Sequence, residues 1–431
     1  MFAHVKSFWF AVRASYWFYP ALFAISGFLL ALFLVHLDRT GASDWLDRLT
    51  WFHPSHPEGA SNMLTVLAGS MIGVASTVFS ITIAAVAYAS GTYGPRLLTN
   101  FMEDKGNQLS LATFIGTFVY AIVVLRTVRT EDESVSGLSG FVPQLSLLVG
   151  FGLMMLAVGV LVYFLHHIPS SIRINAVLEG IGKGLLDKIK IRFPDTNSGQ
   201  SRRPDPPGGQ PVAATTTGYI RYIELEKLAE MAEDADIDIR LALRAGDFVH
   251  SGRALARISS GNLTDEFAAE VRACFALGGS RTPEQDLEFS IDELVEIALR
   301  ALSPGINDPF TAITAIHWLG AATAELGRRE LRHKFGNDDS ARVVPLCDDF
   351  DHFIRRGFGA MRIGIANSKI ATLVALDAMR EAVGQIDDAS RVKLLVDEGD
   401  LLMAQVEAGM KGPELQEVRA RHAVFSKDLG A

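Results

Sequence analysis

The sequence predicts a mainly α protein: a polytopic four-helix transmembrane domain, then a cytoplasmic domain with a small β module and a helical bundle. Three observations lead there. Of the 431 residues, 49% are apolar, and these crowd into the part before Arg173 while charge crowds into the rest. Four long stretches, Ala14–Leu37, Gly59–Pro95, Gly106–Leu125 and Ser134–Ile172, contain no Asp, Glu, Lys or Arg. After a Pro/Gly-rich stretch the apolar pattern turns first to alternation and then to helical spacing.

A helix needs about 20 apolar residues to cross a hydrocarbon layer about 30 Å thick. The apolar cores place spans near 17–35, 63–88, 109–125 and 145–165, within a membrane domain over 1–168. The first span reads as a retained anchor. His36-Leu37-Asp38-Arg39 follows it instead of a small-residue cleavage site, and Trp9, Phe10, Trp17 and Tyr19 form an aromatic belt. Lys6, Arg13, Arg96, Lys105, Arg173, Lys183, Lys188, Lys190 and Arg192 outnumber Arg39, Arg48, Arg126 and Arg129, which puts both termini in the cytoplasm.

The second uncharged stretch would run about 55 Å as one helix, well beyond a bilayer. On a helix, Thr65, Gly69, Gly73, Ser76 and Ser80 share a sector, extended by Ser61, Asn62, Ala87 and Gly91 and interrupted by Ile72 and Ile83. Gly69 and Gly73 have the small-xxx-small spacing that lets helix backbones approach. This face is either a tight helix contact, inside the bundle or between subunits, or the hydroxyl-lined wall of a water-filled pathway in an oligomer. No charge lies within a span core, so a proton relay has no support. Ser90-Gly-Thr-Tyr-Gly-Pro-Arg96 closes the span, with Arg96 placed for headgroup phosphates, and it lacks the strand that a phosphate loop requires. His166 and His167 point about 100° apart and read as interfacial side chains, not metal ligands.

Residues 169–211 form a membrane-proximal amphipathic helix along the bilayer surface, followed by a linker from Pro194 to Pro211. A small β module occupies 212–262. Gly218 to Ile223 reads as a strand, Glu226 to Ala235 as a short helix, and Asp236 to Leu243 alternates as a half-buried strand should. Arg244 to Val249 supplies a turn and a strand, and Arg253 to Ile258 the last strand. Gly-Asp-Phe-Val-x-x-Gly-x-x-Leu, from Gly246 to Leu255, resembles the half-motif of biotinyl and lipoyl domains, but no lysine occupies a hairpin for a prosthetic group. A structural module is expected.

The region 263–431 is expected to be helical throughout, with helices over Leu287–Leu302, Pro309–Phe335, Leu346–Phe358 and from Ser368 onward. Between the first two, Ser303-Pro304-Gly305 breaks the helix, Asn307 tolerates the turn, Asp308 caps the next helix and Pro309 suits its first position. A local capping role accounts for these residues. The other reading is a polar cluster of Arg281, Asp286, Ser303, Asn307 and Asp308 that binds a ligand or another subunit.

Ala301-Leu-Ser-Pro-Gly-Ile-Asn-Asp-Pro-Phe-Thr-Ala312, preceded by Gly278-Gly-Ser-Arg-Thr-Pro-Glu-Gln-Asp286 and by Ser76-Thr-Val-Phe-Ser-Ile-Thr82, resembles a bacterial membrane-protein family of the domain-of-unknown-function 2254 type. The likeness covers about residues 10–425 and implies an inner-membrane protein with an amino-terminal membrane part and a soluble carboxyl-terminal part. It implies no activity, substrate or catalytic residue.

No catalytic constellation stands out, and the chain is expected not to be an enzyme. Asp292, Glu293 and Glu296 read as one solvated helix face, and His317, His333 and His352 are scattered. Walker, dinucleotide and nucleophile-elbow motifs are missing from their required contexts. Cys274 and Cys347 have no metal-ligand spacing, so neither metal nor cofactor is expected. A net charge of −9 gives no general attraction for nucleic acid. The expected partners are the lipid bilayer, further copies of the chain and a cytoplasmic protein. The leading functional expectation is a homo-oligomeric, channel-like pathway lined by the second span. The alternative is a non-conducting scaffold or sensor whose cytoplasmic domain docks a protein.

Overall fold

Within each uncharged stretch the described residues form one long helix. The computed structural model describes residues 12, 15–41, 56–94, 104–129, 141–193, 209–259, 264–331, 342–346 and 349–428. The chain divides into two units between Arg173 and Ile174. Lys6, Trp9, Phe10, Arg13, Arg48, Pro95, Arg96, His333, Cys347 and most of the expected linker, 194–208, lie outside the described residues.

The amino-terminal unit holds α1 (Phe18–Arg39), α2 (Pro57–Tyr93), α3 (Lys105–Leu125) and α4 (Gln144–Ser171). All four are long and apolar enough to cross a membrane. More than half of α3 is buried, against less than a third of each of the others, so α3 is the centre about which they pack. Its composition explains the position: Asn107, Gln108, Ser110, Thr113 and Thr117 are buried, and central packing keeps these groups off the hydrocarbon. Where α1 meets α3 the backbones come within glycine distance. A Cβ on Gly27 would collide with the Gly116 carbonyl, and one on Gly116 with the Phe23 backbone. Polar residues tie the helix ends. The Asp38 carboxylate, beyond the core of α1, accepts bonds from the Leu145 and Ser146 N–H groups at 3.0 Å and from the Ser146 hydroxyl at 2.7 Å, capping α4.

The carboxyl-terminal unit begins with α5 (Ile174–Arg192), whose Leu178, Ile181, Leu185 and Ile189 recur at helical spacing and are buried. This apolar stripe packs on α8 (Leu287–Ala301) and α9 (Pro309–Gly327), described below, so α5 is a core helix of this unit. The expected surface-lying amphipathic helix is corrected here: its apolar face is covered by protein. Gly182 permits the contact, since a Cβ there would overlap the Trp318 ring.

The β module is larger than its expected limits. It comprises β1 (Gln210–Ala213), β2 (Gly218–Ile223), α6 (Leu225–Asp234), β3 (Ile239–Leu241), β4 (Phe248–Val249) and β5 (Ala254–Ile258). Then follow α7 (Asp265–Ala273), β6 (Phe275–Gly278) and, after α8 and α9, β7 (Val343–Val344). One sheet runs β1-β5-β3-β7, antiparallel except for the parallel β3/β7 pair; the other runs β4-β2-β6, all antiparallel. Val212, Ile220, Leu241, Val249, Leu255 and Phe275, drawn from both sheets, fill one core. Gly246 turns the chain into β4 at φ +96°, a conformation open to glycine, and a Cβ there would strike the Asp286 carboxylate.

The remaining helices are α10 (Phe350–Ile354), a π-helical turn at Arg355–Gly359, α11 (Ala360–Ala366), α12 (Lys369–Val383), α13 (Ala389–Gly409) and α14 (Pro413–Asp428). Two arginines tie the end of α9 to its neighbours. Arg329, almost wholly buried, pairs with Glu325 and donates to the Phe193 carbonyl at 2.6 Å. Arg391 donates to the Gly327 and Arg329 carbonyls at 2.7 Å, closing the carboxyl end of α9.

Candidate functional site

In the amino-terminal unit, α2 is two-faced. Leu64, Leu67, Ala68, Met71, Ala75 and Val78 are buried in the bundle. Thr65, Gly69, Gly73, Ser76 and Ser80 are all exposed. At about 100° per residue the second set spans about 80°, centred about 150° from the first. A Cβ added at Gly69 or Gly73 would meet nothing within 4 Å. The small-residue face therefore points away from the other three helices, and the close backbone contact of this bundle is at Gly27 and Gly116 instead. Its hydroxyls are bonded along the helix: Thr65 donates to the Ser61 carbonyl at 2.8 Å and Ser80 to the Ser76 carbonyl at 2.9 Å.

His167 has a role that sequence spacing could not reveal. Asp104, the N-cap of α3, accepts from Gly106 N–H at 2.8 Å and also meets His167 Nε2 at 2.8 Å. His167 Nδ1 in turn lies 3.2 Å from the Tyr163 hydroxyl. This chain fastens the end of α4 to the start of α3.

In the carboxyl-terminal unit the first turn of α8 organises a line of alternating charges. Asp286 caps α8, accepting from Phe289 N–H at 3.0 Å, and takes a bidentate pair from Arg281 at 2.7 and 2.8 Å. Arg281 also donates to Asp292 at 2.5 Å, and Arg356 donates to both oxygens of Asp292 at 2.7 Å. Arg356 continues to Glu288 at 2.6 Å, and Glu288 meets His352 at 2.7 Å and Arg244 at 3.3 Å. Glu288 and Asp292 stand one turn apart on α8, so a single helix face presents both. The π-helical turn that contains Arg356 interrupts the regular register between α10 and α11 beside this face.

The fields in this line are unequal. Burial pushes the Asp286 carboxyl up and outweighs the Arg281 pair. Burial also pushes Glu288 up, but the His352 hydrogen bond and the charges of Arg356, His352 and Arg244 overcome it and hold Glu288 at about 2. Asp292 is likewise held below the usual range, its burial outweighed by Arg356 and Arg281. Asp292 is thus a paired, half-buried group and Glu293 is buried, which corrects the solvated-face reading of this segment. Burial raises the Cys274 thiol to about 11, far from thiolate chemistry at neutral pH.

The five residues expected to form one polar cluster fall into two groups. Arg281 and Asp286 belong to the charged line at the start of α8. Ser303, Asn307 and Asp308 lie past its far end, about 22 Å away for a 15-residue helix. There their bonds are local. The Ser303 carbonyl accepts from Asn307 N–H at 2.9 Å, Asn307 sits at φ 49°, and Asp308 accepts from Thr311 N–H at 3.2 Å as the cap of α9. The partners that sequence reasoning missed, Arg244, His352 and Arg356, come from distant segments; the one local signal was the one-turn spacing of Glu288 and Asp292.

Beside the charged line is a cavity of about 340 Å³. Its walls are mostly apolar, including Ile223, Leu225, Leu241, Leu243 and Leu287, and Ile191 stands at its edge. Lys188, Arg192 and Arg244 also line it, with Glu284 as the lone acid. Lys188 donates to the Ser290 hydroxyl at 3.1 Å and Arg192 to the Gln285 carbonyl at 3.4 Å.

Comparison with known proteins agrees with this architecture. The family model described as "Predicted membrane protein (DUF2254)" matches residues 13–381. An uncharacterised protein of Mycobacterium bovis and uncharacterised proteins of two Mycobacterium tuberculosis strains are each 30% identical to the chain over 297 residues, 67% of this chain and 56% of the relative. The chain therefore spans little more than half the length of these relatives. No solved structure matches. With four apolar helices ahead of a helical region that carries a small sheet module, the chain belongs to the DUF2254 family of membrane proteins.

Proposed function

We propose that the protein assembles as a homo-oligomer in the bacterial inner membrane, with both ends of the chain on the cytoplasmic side, and that α2 lines a gated pathway where copies meet. One observation carries this reading: Thr65, Gly69, Gly73, Ser76 and Ser80 form a continuous face that the bundle leaves outward. Toward lipid such a face offers little contact area, since Gly and Ser fill less space than Leu or Phe. Against a second helix the same residues allow close backbone approach, and against water they offer hydroxyl and carbonyl oxygens. The orientation rests on the excess of basic residues at one set of span ends, including Lys105 and Arg173.

Ion and small-solute flux into liposomes containing the full chain tests the pathway. The reading predicts flux that Ser76→Leu and Ser80→Leu abolish while the protein still inserts. A sealed vesicle under every gradient and potential overturns it.

The second reading is a non-conducting scaffold or sensor whose carboxyl-terminal unit docks a protein. The bonding of Thr65 and Ser80 to their own helix favours it, because a face whose hydroxyls are already bonded can pack dry. A stoichiometric protein partner together with an oligomer lacking flux would select this reading. Neither reading assigns a catalytic residue, a metal or a nucleic-acid partner.

A further inference from the structure

We infer that the cavity of the carboxyl-terminal unit is a binding site for an organic anion: an apolar body with one carboxylate or phosphate head. The inference stands on this unit alone and holds whether or not α2 lines a pathway.

Size comes first. At about 340 Å³ the hollow falls within the range of about 300–1,000 Å³ typical of small-molecule sites and far exceeds the occasional water-sized void of a packed interior. Its walls draw on five segments: the end of α5, the junction of β2 with α6, the strand β3 and its extension to Ala245, the start of α8 with Glu284 and Gln285 before it, and Pro345–Leu346. No local accident of one loop creates it. Ile223, Leu225, Leu241, Leu243 and Leu287 offer water few hydrogen bonds, so an apolar body entering gains dispersion contacts and releases poorly bonded water.

Charge then selects the head. Lys188 and Arg192 stand four residues apart on α5, one turn of one face, and Arg244 arrives from the β module. Glu284 is the one acid among the lining residues, and Arg244 shares its charge with Glu288 just outside the lining. Arg192 and Arg244 carry planar guanidinium groups suited to two-oxygen acceptors, which carboxylate and phosphate both present. Arg244 also donates to Glu288, and Lys188 bonds Ser290, so two of the three are held in place by α8 before a ligand arrives. Ile191 is 86% exposed at the mouth, an apolar side chain held in water where a ligand tail would cover it.

The test uses the full chain in phosphatidylcholine nanodiscs, with heats from empty discs subtracted. Hexanoate and hexyl phosphate are titrated against hexan-1-ol, which keeps the body and lacks the charge, and inorganic phosphate, which does the reverse. The expected result is saturable binding of at least one six-carbon anion, with the alcohol and inorganic phosphate each about tenfold weaker or worse. Ile191→Asp, at an exposed site, should weaken the anion about tenfold with the melting temperature of the unliganded protein unchanged, and Lys188→Gln should weaken it about tenfold as well. Hydrogen exchange supplies a readout without variants: the anion should protect 188–192, 241–245 and 284–287. Discs containing phosphatidylglycerol separate the sources. A lipid headgroup that reaches the site lowers the apparent affinity for hexanoate, and an unchanged affinity assigns the site to a free anion. Hexan-1-ol or inorganic phosphate binding as well as the anion, unchanged binding in both variants, or no saturable heat and no protection would each overturn the inference.

Discussion

Glu288 shows what a single residue carries in this protein. It bonds His352 at 2.7 Å and Arg356 at 2.6 Å and is held at about 2. Because its folded value lies below the ordinary 4.5, it stabilises the fold above that value, and the contribution fades as pH falls through about 2. Asp292, also depressed, acts in the same direction, while Asp286, raised, opposes both. Glu288→Gln should therefore be less stable than the parent at neutral pH, with the gap closing between pH 4.5 and about 2 in denaturant titrations. A gap constant across that window would remove Glu288 from the account. None of this was legible in the sequence beyond the one-turn spacing of Glu288 and Asp292, since His352 and Arg356 lie 64 residues from the acids they hold. The caps are the contrast. Asp308 followed by Pro309 states its role within four residues, because an N-cap is a local interaction.

Among the elements, two pairs of glycines in the spans differ in place. Gly27 and Gly116 lie where α1 meets α3, whereas Gly69 and Gly73 face outward on α2. Gly116→Leu should destabilise the bundle by about 1–3 kcal/mol, read as earlier thermal unfolding in detergent, because a side chain there must displace the Phe23 backbone. Gly73→Leu should leave the melting of the monomer unchanged and weaken self-association in a light-scattering mass measurement. Equal destabilisation by the two would contradict the facing of α2. The four spans were legible because a membrane helix needs only length and apolarity, both visible without knowing its neighbours. The facing of α2 was not, since a helical wheel groups residues and does not say what covers them. β6 was absorbed into the expected helical region, and two-residue β7 pairs in parallel with a strand about a hundred residues earlier, which no local pattern marks.

At the scale of the whole molecule, chemistry is divided between two units. The membrane unit keeps ionisable groups at helix ends, where Asp38 caps α4 and Asp104 meets His167. The carboxyl-terminal unit sets a line of them along the first turns of α8, beside a cavity whose lining includes three cations. Membership of a family of membrane proteins fits this division, and the length of the relatives beyond the matched region leaves room for further parts. The functional reading turns on one claim, that the outward face of α2 is where copies meet. Disulfide trapping in native membranes tests it most directly, with cysteine placed singly at Ser76 or Ser80 on that face, or at exposed Leu156 on α4. The account predicts a crosslinked dimer from Ser76→Cys and Ser80→Cys under mild oxidation and none from Leu156→Cys. Equal trapping at all three positions, or a monomer throughout, would contradict it.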